Sequence, residues 1–118
     1  MKLLISTACA ALMGFAAPAF AEFQTIKSRS EFMSVVGGKT LTRPLVKIKL
    51  SSNGNITGKG ASWDVTGKWQ WKGNYLCRSL EWGGDDLGYN CQEIKVNGST
   101  MRITSDRGAG DSADFRLR

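Results

Sequence analysis

The stretch "SWDVTGKWQWKGNYLCRSLEW" (residues 62–82) decides the class of fold, because apolar and polar residues alternate through it twice. In the first run Val65, Trp69 and Trp71 share one face, and polar residues fill the positions between them. In the second run Leu76 and Leu80 share a face, after a Gly-Asn pair that can turn the chain. A period of two indicates strands with one buried face. The stretch therefore predicts an antiparallel β-hairpin.

The same pattern extends through most of the chain. Asn-Gly pairs at 53–54 and 97–98 are strong hairpin signals. We predict six or seven short strands that form a small antiparallel β-barrel or sandwich with meander topology. A Greek key topology would give the same pattern of strands. The predicted strands are 44–52, 55–60, 62–72, 75–82, 91–96, 100–105 and 112–118.

One short helix is expected before the strands, in "SRSEFMSVV" (residues 28–36). Phe32, Val35 and Val36 have the i, i+3, i+4 spacing of a buried helical face, and one of the first two serines can cap the segment. A pair of glycines follows and is expected to end the helix.

The first 21 residues have the three-part pattern of a secretory signal peptide. Lys2 precedes an apolar run, and small residues flank the end of the segment in Ala19-Phe20-Ala21. The run is too short to span a bilayer as a helix. We therefore expect residues 22–118 to form a single β domain that is periplasmic or secreted, with no transmembrane segment after signal cleavage.

The cysteines indicate a disulfide rather than a metal site. Cleavage would remove Cys9 and leave Cys77 and Cys91, an even number in an exported chain. The sequence contains no histidine, and two lone cysteines do not make a zinc site. We expect no bound metal, and a Cys77–Cys91 bridge on the less apolar face. It would close the base of a long loop, "GGDDLGYN" (residues 83–90).

The alternation places Arg78 on the inward face with Leu76 and Leu80. A buried arginine is costly unless it is paired. Arg78 is therefore expected either at the mouth of the barrel or beside an acidic residue, unless a bulge reverses the phase of the strand.

Charged and aromatic residues concentrate in the turns at one end of the predicted meander, where β-barrels place their sites. The leading hypothesis is a non-enzymatic module that binds a small ligand or an envelope partner there. Adjacent aspartates in such turns can instead serve only to organise the turns. The candidate ligand-binding residues are Arg78, Trp82, Asp85, Asp86, Tyr89, Asp106 and Arg107.

The amino-acid composition and the motifs argue against several classes of function. Without histidine there is no Ser-His-Asp or Cys-His arrangement. "GAGDSA" (residues 108–113) matches a dinucleotide fingerprint but leaves no room for the helix that must follow it, so we expect no cofactor. The net charge is +6, yet the basic residues are spread along the chain, and we expect no nucleic-acid partner.

The segment from residue 56 to the end also resembles a known group of proteins. It contains a Gly-Lys-Trp-x-Trp strand, Tyr-x-Cys-Arg, Asp-Leu-Gly before the second cysteine, and Ser-Asp-Arg-Gly-x-Gly. In these features the chain resembles short exported proteins of alphaproteobacteria that are largely uncharacterised. Some of them carry the label dihydrodipicolinate reductase, but no catalytic residue carries over to this chain.

An enzyme is therefore the alternative hypothesis. It would be either the reductase that the resemblance implies or a hydrolase using a carboxylate pair such as Asp85 and Asp86. A structural or interaction protein is a third hypothesis, which an exposed edge strand carrying tryptophan would favour.

Overall fold

The computed structural model of the protein describes residues 22–118 and consists of nine strands, one α-helix and one 3₁₀ turn. The predicted signal peptide lies outside these residues. The helix α1 is Arg29–Val36, and the 3₁₀ turn is Asp106–Gly108. The strands are β1 Gln24–Thr25, β2 Leu41–Arg43, β3 Val46–Leu50, β4 Asn55–Gly60, β5 Trp63–Lys72, β6 Tyr75–Trp82, β7 Asp85–Asn97, β8 Thr100–Thr104 and β9 Ser112–Leu117.

The strands β2 to β9 form a closed antiparallel barrel of eight strands. Each strand pairs with its neighbours in sequence, and β9 pairs with β2 to close the ring. This order is an up-and-down meander, which confirms the predicted barrel and excludes the Greek key. β1 lies outside the ring and adds two residues to the edge of β7.

Two of the nine strands were not predicted. β1 has two residues and β2 has three, and neither length is enough to show a period of two. Leu41 in β2 is nevertheless buried, because its strand lies between β3 and β9 in the ring. The strands predicted from residue 44 onward correspond to β3–β9.

The helix α1 forms where the sequence predicts it and closes one end of the barrel. The Ser28 side chain caps it by accepting a hydrogen bond of 3.1 Å from the Glu31 amide. Phe32 and Val36 are fully buried in the barrel core. The Phe32 ring packs edge-on against Trp69 and stacks on Trp71, with centroids 5.3 and 5.2 Å apart. The tryptophans of β5 thus serve as core residues that hold the helix.

The predicted long loop between the cysteines is wrong. β7 begins at Asp85, so only Gly83 and Gly84 connect it to β6. Both glycines have positive φ, as a two-residue hairpin turn of type I′ requires. Such a tight turn lets the strands remain paired almost to their ends.

Cys77 and Cys91 form the predicted disulfide as directly paired residues of β6 and β7. Leu76 and Arg78, on either side of Cys77, face the interior of the barrel, so the bridge lies on the outer face as predicted. It links the middle of two paired strands, and it does not close the base of a loop.

Candidate functional site

The barrel interior, which we call the lumen, is a cavity of about 250 Å³ at the end opposite α1. Most of the lining is apolar and comes from residues that point inward on β2–β4, β6, β8 and β9. Five polar residues complete it. The lining consists of Leu41, Ile48, Leu50, Ile56, Leu76, Arg78, Leu80, Gln92, Ile103, Ser105, Asp111, Ser112, Ala113 and Phe115.

Arg78 is the cationic residue in this lining. Its Nη1 donates a hydrogen bond of 2.9 Å to the Gly88 carbonyl oxygen. Burial lowers the pKa of the guanidinium, and no carboxylate contributes to the shift. An arginine nevertheless remains charged in a protein. The inward placement predicted from sequence is confirmed.

The guanidinium of Arg78 has no carboxylate partner within residues 22–118. The ion pairs there join Lys59 to Asp64, Lys95 to Glu93 and Arg102 to Asp114. Asp111 lines the same cavity but forms no ion pair with Arg78. The alternative that Arg78 is matched by an acid is therefore wrong.

The outer face shows what a paired arginine looks like in this protein. Arg102 on β8 donates hydrogen bonds of 2.8 and 3.0 Å to the two carboxylate oxygens of Asp114 on β9. This hydrogen bonding lowers the pKa of the Asp114 carboxyl. Arg102 thus has an anion bound in a fork geometry, whereas Arg78 does not.

A β-bulge in β7 positions the carbonyl that holds Arg78. Leu80 pairs with Gly88 and Glu81 pairs with Asp86, which leaves Leu87 as the extra residue. Gly88 has a φ of 85°, which favours glycine. The Asp86 carboxylate accepts a hydrogen bond of 2.8 Å from the Gly88 amide. Asp86 therefore organises the bulge that orients Arg78, rather than lining the lumen.

The turn between β8 and β9 forms part of the lumen wall. Ser105 and Asp111 at its ends line the cavity, and the Ser105 amide donates to the Asp111 carbonyl oxygen over 2.9 Å. Asp106 and Arg107 both have a φ of 56°, which is strained for residues with a side chain. Asn90 of β7 holds this conformation, since its side chain hydrogen-bonds both the amide and the carboxylate of Asp106.

The other predicted site residues do not line the lumen. Trp82 donates from Nε1 to the Gly60 carbonyl oxygen over 2.8 Å, which ties two hairpin ends together. Tyr89 is exposed on the outer face, beneath the Lys72 ammonium. Arg107 lies over the ring of Tyr75. Asp85 is exposed at the start of β7. Of the predicted site residues, only Arg78 lines the lumen. Asp86 and Asp106 are exposed residues of the neighbouring bulge and turn, and Asp86 faces the outer groove on β4–β6.

Sequence reasoning missed the remaining polar residues of the lumen. Gln92 is 6% exposed, in phase with Ile94 on β7, and its Nε2 lies 3.4 Å from the Ser105 hydroxyl. The alternation of β7 is the signal that could have identified it. Asp111 and Ser112 carry no comparable signal, because their placement depends on how the turn 105–111 folds over the barrel.

A larger groove of about 460 Å³ lies on the outer face of β4–β6. It includes Thr57, Thr66, Lys68 and Glu81, whose side chains are exposed. The lumen is lined mainly by buried or partly buried apolar side chains, so we regard it as the stronger candidate site for a small ligand.

Within residues 22–118, no helix is long and apolar enough to cross a membrane. No group of three or more potential metal ligands occurs in the same part of the chain. Comparison with models of protein families, with curated proteins and with solved structures found no match.

Proposed function

We propose that this chain is a non-enzymatic binding protein of the periplasm or the secreted fraction, and that its barrel lumen holds a small, mainly apolar molecule. The observation that carries the proposal is the lumen, an apolar cavity that also has a few convergent polar groups in its lining, inside a barrel whose other end is closed by α1. Small β-barrels commonly hold a single small ligand in this position.

The export part of the proposal rests on two observations. The first 21 residues have the composition of a signal peptide. Cys77 and Cys91 form a bridge that is suited to an oxidising compartment.

The hydrolase hypothesis gains no support from the geometry. Asp85 and Asp86 are consecutive residues of a strand, so their side chains point to opposite faces and cannot share a substrate. The Asp86 carboxylate is already engaged with the Gly88 amide.

An envelope partner is the second candidate, and one observation favours it. Large apolar side chains are exposed around the ends of the β4–β5 and β6–β7 hairpins, with Trp63 at 57% and Leu87 at 51%. Exposed aromatic and aliphatic side chains on neighbouring turns are typical of protein contact surfaces.

The lumen proposal is tested by titrating the oxidised protein, recovered from a bacterial periplasm, with 1-hexanol. Methyl NMR signals report the outcome. Ile48, Ile56 and Ile103 line the lumen, whereas Ile26 and Ile94 are core residues outside its lining. We expect saturable shifts of the first group only. The denatured mass of the same sample shows whether residues 1–21 are removed.

Two variants control this titration. Ala113 lines the lumen, so Ala113→Phe should fill it and abolish the shifts. Ala109 is exposed in the turn after β8, and Ala109→Phe should leave the shifts unchanged. Absence of saturable shifts in the native protein, or equal shifts in Ala113→Phe, would contradict binding in the lumen.

A further inference from the structure

The wall of the lumen contains a positive charge that the fold itself does not neutralise. Arg78 is half-buried. Even a partly buried cation among apolar side chains costs free energy unless an anion compensates it. Arg78 has none within residues 22–118, whereas Arg102 on the outer face is paired with Asp114. The stability of the empty barrel therefore does not explain why an arginine stands at this position.

Arg78 retains N–H donors that are accessible beside the lumen. A guanidinium carries five N–H groups, and the hydrogen bond to Gly88 uses one of them. Within residues 22–118, no fully buried side-chain nitrogen or oxygen lacks a partner. The remaining N–H groups of Arg78 thus border accessible space, and Arg78 is one of the residues that line the lumen.

The guanidinium is also held in place before any ligand arrives. Its Nη1 is bonded to the Gly88 carbonyl of the bulge, and the bulge is held by Asp86. A donor group that is already oriented loses less entropy when it binds. Its planar fork matches the two oxygens of a carboxylate.

The rest of the lumen sets the size and polarity of the ligand. Leu50, Ile56, Ile103 and Phe115 provide an apolar wall suited to a hydrocarbon body. A volume of about 250 Å³ lies below the range of cavities that hold drug-sized molecules. Asp111, an exposed residue of the lining, places a negative charge at the solvated rim and disfavours a second acidic group on the ligand there.

We propose that the ligand of the lumen is a small amphiphilic monocarboxylate, with its carboxylate on the Arg78 guanidinium and its hydrocarbon part against the apolar wall. This inference rests on the proposed function, since it requires that the lumen binds a ligand.

The test compares hexanoate with 1-hexanol at pH 7, two probes with the same carbon chain that differ in charge. Affinities come from the lumen isoleucine methyl shifts of the native protein and of Arg78→Gln. We expect native protein to bind hexanoate more tightly than 1-hexanol. Arg78→Gln should weaken hexanoate by about 10- to 100-fold, the loss of a charge-assisted hydrogen bond, and leave 1-hexanol nearly unchanged.

Two further variants keep the result specific. Arg116 is exposed on β9, so Arg116→Gln removes the same charge outside the lumen and should not change hexanoate binding. Arg78→Lys keeps the charge but loses the planar fork, and its hexanoate affinity should fall between those of native protein and Arg78→Gln.

The outcomes separate this inference from the function on which it rests. If 1-hexanol binds in the lumen but hexanoate binds no more tightly, or if Arg78→Gln weakens both probes equally, the carboxylate assignment is overturned and the lumen proposal stands. If neither probe shifts the lumen methyl signals, both are overturned.

Discussion

Arg78 is the residue at which the requirements of folding and those of the proposed binding function diverge most clearly. It lies between Leu76 and Leu80 on the inward face of β6, where an aliphatic side chain would pack without cost. Its hydrogen bond to the Gly88 carbonyl oxygen satisfies one N–H donor but does not neutralise the positive charge. Natural proteins retain such unfavourable groups at functional sites, where stability is lost in exchange for recognition.

We expect Arg78→Leu to raise the free energy of unfolding by about 1 kcal/mol, because the substitution removes an uncompensated charge from an apolar wall. Urea denaturation of the oxidised protein measures the change. Arg116→Leu, on the outer face, should stay within about 0.5 kcal/mol of native protein. A loss of stability in Arg78→Leu as large as that of a core truncation would mean that Arg78 is structural.

At the scale of elements, the β6–β7 hairpin joins three features in one unit. It carries Arg78 on its inward face, the bulge at Gly88 that anchors this arginine, and the Cys77–Cys91 bridge on its outer face. Because the bridge links residues that are directly paired, it opposes slippage of the two strands. The strand register is thereby maintained, and the Gly88 carbonyl of the bulge stays within hydrogen-bonding distance of Arg78.

Replacing both cysteines, as Cys77→Ala with Cys91→Ala, should lower the free energy of unfolding by about 3 kcal/mol, since the bridge closes a loop with a sequence separation of 14. Urea denaturation again provides the measurement. Binding of 1-hexanol should persist, because the bridge lies outside the lumen. Unchanged stability, or loss of lumen binding by a double variant that remains folded, would contradict this account.

At the scale of the whole molecule, the barrel has one closed end and one open end. The helix α1 and its contacts with Trp69 and Trp71 close the first, and the lumen lies at the second. A small barrel fills its interior with side chains unless some part of it is left free. Within residues 22–118, the lumen lining contains no residue of α1.

Phe32→Ala should lower the free energy of unfolding by about 3–5 kcal/mol, since the ring is fully buried between two tryptophans. Thermal and urea denaturation measure the loss. Ser34→Ala, on the exposed side of α1, is the control and should change stability by less than about 0.5 kcal/mol. Equal effects of the two variants would mean that α1 does not close the core.

Local patterns in the sequence were enough to predict the elements that depend on neighbouring residues. The alternation around Trp69 and Trp71 predicts β5, and the Ser28 cap with Phe32 and Val36 predicts α1. The inward position of Arg78 follows from its phase with Leu76. The pairing of Cys77 with Cys91 follows from their number once Cys9 is set apart with the predicted signal peptide. Each of these depends on periodicity or capping within one short segment.

Long-range contacts decided the rest. β2 is too short to show a period of two in the sequence. Its pairing with β3 and β9 makes it the strand that closes the barrel. The bulge at Gly88 is defined by the pairing of β7 with β6. Asp111 lines the lumen at the end of a turn whose Asp106 is hydrogen-bonded to Asn90 of β7. A period of two assigns each residue to a face of its own strand. Which strands enclose a common space, and what that space contains, depends on contacts between distant residues, which no local pattern records.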